Sequence, residues 1–212
     1  MKKITILFSI LFATMLLYSQ EVLDIGGKQR TTIGALNNNE EFIFKKIGTT
    51  QGFELDLFAK SNDGNERCLG KISHYSDYGK LCNNLFYFSI SNYYGRKENP
   101  DLFDELFVLD IKKGVIEKLL DSFAFTVSDD GKYICYHEVP QKKKMENHEV
   151  SYWYIYNTKT KKNNIIIDKQ QKNNWQVNVP SYDQETKSFV FTIGYDDVVV
   201  DSISFNPYEM NF

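Results

Sequence analysis

A pattern of strand, turn and strand that recurs along the chain is the feature that most constrains its fold. Residues 105–138 contain a run of β-forming residues, a tight turn, a second run, and an Asp-Asp-Gly turn that leads into a further strand. The strand that follows each Asn- or Asp-rich turn can be aligned in four copies, which are spaced 44, 48 and 56 residues apart at Phe42, Phe86, Ile134 and Val190. Recurrence at a period of tens of residues is a property of whole architectures, in which one supersecondary unit is repeated. The sequence therefore predicts a repeated β array.

The runs that make up the repeat are typical of β-strands. They are rich in Ile, Val, Phe, Tyr and Leu, and they are separated by Asn, Asp, Gly and Lys. After residue 20 no stretch has a sustained helical period of apolar residues. The predicted strands are residues 42–47, 53–59, 85–91, 105–111, 115–119, 123–127, 132–138, 151–157, 163–168, 175–179, 188–194 and 198–205.

The turns between these strands favour antiparallel hairpins. Gly64 and Gly131 each follow an aspartate, and glycine there supplies the positive φ that a tight turn requires. Residues 112–114 and 158–161 each join two predicted strands. Parallel pairing would need crossover helices, for which the pattern gives no signal. We predict one all-β domain over residues 21–212, which is long enough to bury a sizeable core.

The first twenty residues are typical of a secretory signal peptide. Met1-Lys2-Lys3 is a short positive segment, and the apolar run at residues 4–17 contains no charge. This run is shorter than the roughly 20 residues that a helix needs to cross a bilayer, and no cysteine follows it that would accept a lipid. Residues 18–20 lack a small-x-small pattern, so the cleavage site stays open. We expect a signal over residues 1–20, export to the periplasm or beyond the cell, and no membrane insertion after cleavage.

Charge and cysteine content exclude some classes of protein. Removal of residues 1–20 removes two lysines and no acidic residue, so the net charge changes from −3 to about −5, which argues against nucleic acid as the partner. Three cysteines remain, and an odd number leaves at least one thiol unpaired in an exported protein. A Cys68–Cys82 disulfide across a short loop stays open at this point. Cys135 alternates with Tyr133 in a predicted strand and is expected to be a small buried hydrophobe.

Residues 129–136, Asp-Asp-Gly-Lys-Tyr-Ile-Cys-Tyr, resemble the Ser-Pro-Asp-Gly-Lys-x-Ile-x-Tyr signature of TolB-type propeller repeats, which also occurs in the propellers of prolyl oligopeptidases. Residues 106–110 with Gly114 match the preceding strand and turn of that repeat, so that about 35 residues match in all. Asp129 stands where the family usually has proline, and the other three copies lack the Asp-Gly. The resemblance implies an antiparallel, propeller-like array of about four degenerate blades without a hydrolase domain. The alternative fold is a β-sandwich.

The sequence offers few groups for catalysis. The chain has three histidines to serve as a base, and it contains no Gly-x-Ser-x-Gly motif that would present a nucleophile. The histidine and aspartate spacings match no metal motif, so we predict no metal and no cofactor. A secreted hydrolase acting on glycan or peptide is the alternative from another class, and it would draw its acid and base from Asp101, Asp104 and Glu105.

We expect an exported binding or scaffolding module of the cell envelope that has no catalytic activity of its own. Both faces of a propeller blade pack on neighbouring blades, so the aromatic clusters are expected in the core and the loops are better places for a partner site. The residues predicted to contact a partner are Tyr93, Tyr94, Arg96, Asp104, Lys143 and His148. A protein or a glycan is the expected partner, and the oligomeric state stays open. A third interpretation is a truncated relative of a larger propeller protein, whose sign would be an exposed apolar edge at residues 198–205.

Overall fold

The computed structural model describes residues 21–50, 52–91, 104–138, 152–167, 176–195 and 198–212, and these residues form a protein that is almost entirely β. None of them belongs to a helix with the length and apolarity that a bilayer-spanning segment needs. One short 3-10 helix covers Pro207–Glu209. The strands are β1 (Val22–Leu23), β2 (Arg30–Thr32), β3 (Glu40–Thr49), β4 (Gly52–Ser61), β5 (Glu66–Ile72), β6 (Tyr75–Cys82), β7 (Leu85–Ser91), β8 (Asp104–Asp110), β9 (Val115–Val127), β10 (Tyr133–Glu138), β11 (Trp153–Asn157), β12 (Lys162–Ile167), β13 (Gln176–Val177), β14 (Ser181–Asp183), β15 (Ser188–Tyr195) and β16 (Val198–Phe205).

The strands fall into four consecutive antiparallel meanders, which we call blades 1 to 4. Blade 1 contains β3, β4 and β5, and blade 2 contains β6, β7, β8 and the first half of β9. Blade 3 contains the second half of β9 with β10, β11 and β12. In blade 4, β13 and β14 pair with one edge of β15 and form an interrupted inner strand, while β16 pairs with the other edge. The predicted antiparallel, propeller-like array of four degenerate blades is confirmed.

The long strand β9 joins two blades without a break. Residues 115–122 pair with β8, and residues 122–127 pair with β10. Ser122 is the shared point, because it lies opposite Asp104 in one direction and opposite Glu138 in the other. The chain therefore passes from the outer strand of blade 2 to the inner strand of blade 3 within one element.

A backbone feature common to the four copies confirms their alignment. Three positions before each aligned residue, φ is positive: 67° at Asn39, 56° at Asn83, 71° at Gly131 and 53° at Lys187. Each of these residues lies in the turn that leads into β3, β7, β10 or β15. Glycine and asparagine adopt this left-handed geometry most readily, and lysine adopts it at some cost. The turn geometry is thus repeated four times, although glycine occupies the position only once.

Each pair of neighbouring blades encloses its own hydrophobic core. Successive residues of a strand face opposite sides of the sheet, so one strand contributes to two cores. In β7, Phe86 and Phe88 lie in the core shared with blade 1, whereas Tyr87 lies in the core shared with blade 3. In β10, Ile134 faces blade 2 and Cys135 faces blade 4. Packing on both faces of blades 2 and 3 distinguishes the array from a two-sheet sandwich.

The inner strands of three blades converge on one side chain, Lys80 of β6. Its ammonium donates to the carbonyl oxygen of Val127 at 2.6 Å and pairs with Asp129 at 2.6 Å, both at the end of the inner strand of blade 3. It also lies 5.6 Å from the ring centroid of Tyr182 in the inner strand of blade 4. One side chain reaches the inner strands of the next two blades when the blades fan around a common axis. The array is therefore radial.

The N-terminal segment, residues 21–36, runs along the outer edges of blades 1 and 2, and we call it the strap. Its strand β1 extends blade 1 beside β5, and its strand β2 extends blade 2 beside β9. Beyond β2 the amide of Ile33 donates to the carbonyl oxygen of Gly114, and the amide of Gly34 donates to that of Leu69, both at 2.8 Å. The strap thus joins the first two blades through their backbones.

The C-terminal segment, residues 206–212, returns to the gap between blades 3 and 4. Met210 and Phe212 pack against the core of that gap. The hydroxyl of Tyr208 donates to the carboxylate of Asp130, in the turn between β9 and β10, at 2.7 Å. Each end of the described domain therefore covers one gap between blades.

The outward faces of the first and last blades carry charged and polar side chains. On blade 1, Lys71 pairs with Asp56 at 3.4 Å and Lys45 pairs with Glu66 at 2.6 Å. On blade 4, the side chains of residues 201, 202 and 204 are exposed and polar. The terminal units of a stacked array need such faces to stay soluble. Within the edge expected at residues 198–205, the described side chains alternate between these polar residues and the half-buried Ile203 and Phe205, and the truncated relative stays an alternative interpretation.

Some predictions from the sequence are wrong in detail. The sequence indicates no strand between residues 59 and 85, but the structure has β5 and β6 there, because polar residues and glycines conceal their period. The two strands predicted at residues 115–119 and 123–127 are one strand, β9. Cys68 and Cys82 lie in different blades, and all three cysteines are free thiols, so no disulfide joins that pair.

Candidate functional site

An open cleft lies between blades 2 and 3, beside the turns that join β8 to β9 and β11 to β12. Its volume is about 230 Å³, which suits one or two amino-acid side chains. Sites that enclose a whole drug-sized ligand have roughly 300 to 1,000 Å³. The cleft is lined by one face of blade 2, by β2 of the strap and by one turn of blade 3, through Arg30, Leu85, Tyr87, Val108, Asp110, Lys113, Val115, Glu117, Leu119, Thr158 and Lys161.

The floor of the cleft is apolar and only partly covered. Leu85, Val108, Val115 and Leu119 come from three neighbouring strands of blade 2, and each side chain is half-buried. Burial of apolar surface contributes about 25 cal/mol per Å² removed from water. A ligand group that covers these aliphatic side chains is therefore stabilised without any rearrangement of the blade.

Tyr87 closes the inner end of the cleft. Its hydroxyl donates to the carbonyl oxygen of Gly131 at 2.8 Å, and the hydroxyl of Thr158 donates to the same oxygen at 3.0 Å. Burial raises the pKa of Tyr87 to about 12, so the phenol is neutral and remains a donor at physiological pH. The bond from Tyr87 fixes blade 2 against blade 3, the bond from Thr158 lies within blade 3, and together they give the cleft a rigid end.

The rim of the cleft carries three cationic groups and two carboxylates. Four of these groups form ion pairs, Arg30 with Glu117 at 3.6 Å and Lys113 with Asp110 at 2.6 Å. Lys161 has no carboxylate partner among the residues that the structure describes. The rim therefore carries one uncompensated positive charge, on the side of blade 3.

Lys161 occupies in blade 3 the turn position that Gly114 occupies in blade 2. Both have left-handed backbones, with φ of 61° and 62°, and each follows by four residues the side chain that caps its turn, Asn157 or Asp110. At Gly114 the strap crosses the turn so closely that a Cβ atom would lie 2.4 Å from the carbonyl oxygen of Ile33. At Lys161 the equivalent place holds a lysine side chain that lines the cleft.

Asp104 is the one predicted partner-contact residue among those that the structure describes. It begins β8, about 20 Å along the strand from Asp110 at the cleft, since a strand rises about 3.3 Å per residue. The other predicted residues lie outside the described part of the chain, and their role stays a prediction; they are Tyr93, Tyr94, Arg96, Lys143 and His148. Asp101, which the hydrolase alternative would use, lies outside it as well.

Asp104 and Glu105 do not form the carboxylate pair that a hydrolase would need. They are consecutive in β8, so their side chains face opposite sides of the sheet. Glu105 is almost fully buried, where it accepts hydrogen bonds from Lys118 at 2.6 Å and from the backbone amide of Gly27 at 2.9 Å. Burial raises the pKa of Asp104, although a hydrogen bond from Ser76 acts in the other direction.

Cys82, Cys135 and His137 are placed as packing groups. Burial raises the pKa of Cys82 to about 11 and raises that of Cys135 well above its ordinary value, so both thiols are protonated at neutral pH and are weak nucleophiles. The ring centroids of His137 and Trp153 are 5.0 Å apart, and burial lowers the pKa of the His137 imidazole. Within the described residues no group of His, Cys, Asp and Glu side chains is arranged to hold a metal ion.

The chain was compared with protein-family models, with curated sequences and with solved structures, and only the solved structures gave matches. No protein-family model and no curated protein sequence matches the chain. Among solved structures, it is similar to the β-propeller domain of the Trilobed protease from Pyrococcus furiosus, with a TM-score of 0.41 and 12% identity over 84% of this chain and 57% of that one.

It is also similar to the tricorn protease, with a TM-score of 0.43 and 12% identity over 88% of this chain and 22% of that one. The acylaminoacyl peptidase of Pyrococcus horikoshii gives a TM-score of 0.39 and 10% identity over 87% of this chain and 34% of that one. The chain thus spans between 22% and 57% of the length of these three structures.

Proposed function

We propose that the chain is an exported, non-catalytic binding module that holds a short extended peptide in the cleft between blades 2 and 3. The observation that carries this proposal is a difference between the gaps. The strap covers the gap between blades 1 and 2, and the C-terminal segment covers the gap between blades 3 and 4. The middle gap has a half-buried apolar floor instead. Export is proposed on the pattern of residues 1–20.

The strap supports an extended peptide as the occupant, because it shows how this architecture accommodates one. Ile33 and Leu36 place their side chains against the core between blades 1 and 2. Their amides donate to the carbonyl oxygens of Gly114 and Ile111 at 2.8 and 2.9 Å. An extended segment therefore fits beside the turn between the third and fourth strands of a blade, and the turn of blade 3 has the same backbone geometry.

The lining of the cleft favours a peptide with an apolar side chain next to a negative charge. The aliphatic floor takes the apolar side chain, and the volume limits the buried part of the ligand to one or two residues. A carboxylate on the ligand lies within the field of Lys161 and gains a charge-assisted contact. So small a contact area supports weak, exchangeable binding.

The environments of the reactive side chains support a role without catalysis. Glu105 is committed to a buried ion pair, and Cys82 is protonated at neutral pH. Asp104 has a raised pKa, but its neighbour Glu105 points to the other face of the sheet. We therefore propose binding as the function and keep hydrolysis as an outcome of the test.

The test is fluorescence anisotropy with labelled hexapeptide pools that end in an apolar residue followed by Asp or Glu. We expect saturable binding that Val108→Trp abolishes, because the larger side chain fills the cleft. Lys161→Glu is expected to weaken binding at least about tenfold, since an attraction becomes a repulsion. Lys159→Glu is the matched control, because Lys159 is exposed in the same turn but does not line the cleft.

Two results would contradict the proposal. One is binding that Val108→Trp leaves unchanged, which would place the ligand elsewhere on the chain. The other is cleavage of the peptide pools, or of a polysaccharide set, that is lost in Asp104→Asn. That result would support the hydrolase alternative instead.

A further inference from the structure

β3 is a long edge strand at the start of the array. Among the described residues it pairs only with β4, and residues 44–49 are all exposed. In blades 2, 3 and 4 the place beyond the corresponding strand is filled by an inner strand, so the architecture has room for a strand beside β3. The unpaired amide and carbonyl groups of an edge strand are a template for pairing with another chain.

The sequence of β3 is self-complementary when it is paired antiparallel with a copy of itself. Residues 40–46 are Glu-Glu-Phe-Ile-Phe-Lys-Lys, so two acidic and two basic residues flank an apolar centre. With Ile43 opposite Ile43 of a second copy, the remaining opposed residues are Glu40 and Lys46, Glu41 and Lys45, and Phe42 and Phe44. Opposite charges and apolar pairs directly across two strands are each stabilising. A register shifted by two residues in either direction loses both charged pairs.

The packing of β3 against blade 2 fixes which face each residue presents. The ring centroids of Phe42 and Phe44 lie 5.2 and 4.6 Å from that of Phe86 in blade 2. Because side chains alternate along a strand, Glu40 and Lys46 share this face, where Glu40 already pairs with Arg67 and Lys46 with Asp77, both at 2.7 Å, so the pair of Glu41 with Lys45 is the one that discriminates. Glu41 lies on the other face, where it is exposed and lies opposite Lys60 of β4, and it forms no ion pair within 4 Å among the described residues. The face that carries Phe42 and Phe44 packs against blade 2, and this contact favours one register with a partner strand.

We propose that β3 pairs with β3 of a second copy of this chain and forms a two-fold symmetric dimer. The pairing makes one continuous antiparallel sheet from the two first blades, and the symmetry creates each charged pair twice. Glu41 gains Lys45 of the second copy as its partner. A single strand pair is a small interface compared with the roughly 1,200 Å² of specific stable complexes, so the dimer depends on protein concentration.

The test is sedimentation equilibrium of the purified protein over a range of concentrations. We expect the average mass to rise toward twice that of the monomer. Glu41→Lys and Lys45→Glu are each expected to raise the dissociation constant at least about tenfold, because each creates two like-charge pairs across the dyad. A 1:1 mixture of the two variants is expected to dimerise, since each new side chain then lies opposite its opposite charge. The double variant E41K/K45E is expected to dimerise like the wild type.

The controls separate pairing from general charge effects and from unfolding. Lys28→Glu and Lys159→Glu change the charge at exposed positions away from β3 and are expected to leave dimerisation unchanged. Lys45→Glu removes the ion pair with Glu66, and the double variant and the mixture contain the same change. Those arms are therefore run only if Lys45→Glu has the circular dichroism of the wild type, and Glu41→Lys carries the test by itself otherwise. A protein that stays monomeric at all concentrations, or a Glu41→Lys variant that dimerises like the wild type, would overturn the proposal. A mixture that stays monomeric would overturn it as well.

Discussion

The gap between blades 1 and 2 and the gap between blades 2 and 3 are built from the same repeated unit, but one is a sealed core and the other is an open cleft. In the first gap the strap lies over the turn at Gly114, and Ile33 and Leu36 complete the core. In the second gap the equivalent turn position holds Lys161, and the floor beside it stays half-buried. Whether the apolar edge of a blade is buried or open to solvent therefore depends on whether a further segment of the chain covers it.

The two gaps also differ in their electrostatics. Beside the strap, Lys118 and Glu105 form an ion pair that is almost fully removed from water. On the rim of the cleft, Arg30 and Glu117 form a pair whose side chains are 64% and 49% exposed. Exposed pairs contribute little, whereas removal of one partner from a buried pair leaves an uncompensated charge. The closed gap is thus held by interactions that the open gap lacks.

The largest expected effect is that of Glu105→Gln. Among the described residues, this variant leaves the buried Lys118 with Asp121, 2.7 Å away, as its one carboxylate partner, and it weakens the contact with the strap at Gly27. We expect a loss of about 3 kcal/mol in the free energy of unfolding. The matched variant Glu117→Gln breaks the exposed pair and is expected to cost less than about 1 kcal/mol. Denaturant titration measures both, and equal losses would contradict the difference between the gaps.

Gly114→Ala is expected to have the next largest effect, because it acts where the strap crosses blade 2. The alanine would adopt φ near 62° and place its Cβ atom 2.4 Å from the carbonyl oxygen of Ile33. We expect a loss of about 2 to 3 kcal/mol, from strain in the left-handed region and from displacement of the strap. Gly64→Ala is the control, since φ is 88° there but no atom lies within 4 Å of the added Cβ.

The control variant is expected to lose about 1 kcal/mol from backbone strain alone. Thermal unfolding gives the two stabilities, and amide hydrogen exchange of residues 21–36 shows whether the strap has moved. Equal losses in the two variants, with unchanged exchange of the strap, would mean that the strap does not depend on this close approach.

The smallest effect is expected at the C-terminal segment, which covers the third gap through Tyr208 and Asp130. Partial burial acts to raise the pKa of Asp130, but hydrogen bonds from Lys132 and Tyr208 outweigh it and lower the pKa to about 2. A carboxyl whose pKa is lowered by folding stabilises the folded state above its unfolded pKa, near 3.8, and this contribution is lost as the pH falls through about 2.

The difference in melting temperature between the wild type and Asp130→Asn is therefore expected to be constant above pH 5 or so, to shrink below it, and to vanish below about pH 2. The side chain of Asp130 is 32% exposed, so we expect the full difference to correspond to about 1 kcal/mol. A difference that grows toward low pH would contradict the proposed role of this contact.

The repeat could be predicted from the sequence because it depends on local signals. The alignment of Phe42, Phe86, Ile134 and Val190 rests on alternating apolar residues and on turn residues. In the structure a residue with positive φ lies three positions before each of them. Strands β5 and β6 could not be predicted in this way. Their polar outward faces and glycines conceal the period of two that identifies a strand.

The cleft could not be predicted, because its openness depends on contacts between distant parts of the chain. Leu85 and Val108 alternate with core residues in the same way as any inward-facing side chain, so their pattern indicates burial. They remain half-buried because the strap ends at the preceding gap. The one local signal is the exchange of Gly114 for Lys161 at equivalent turns, and it becomes informative only once the path of the strap is known.

The most direct test of this account is hydrogen–deuterium exchange of the protein with and without the acidic, apolar peptide pool. We expect slower exchange in residues 85–88, 115–119 and 158–161, which surround the cleft, and unchanged exchange in the strap at residues 21–36. Slower exchange at Asp104 and Ser122 with no change around the cleft would contradict it. That result would place the binding site at the opposite end of the blades.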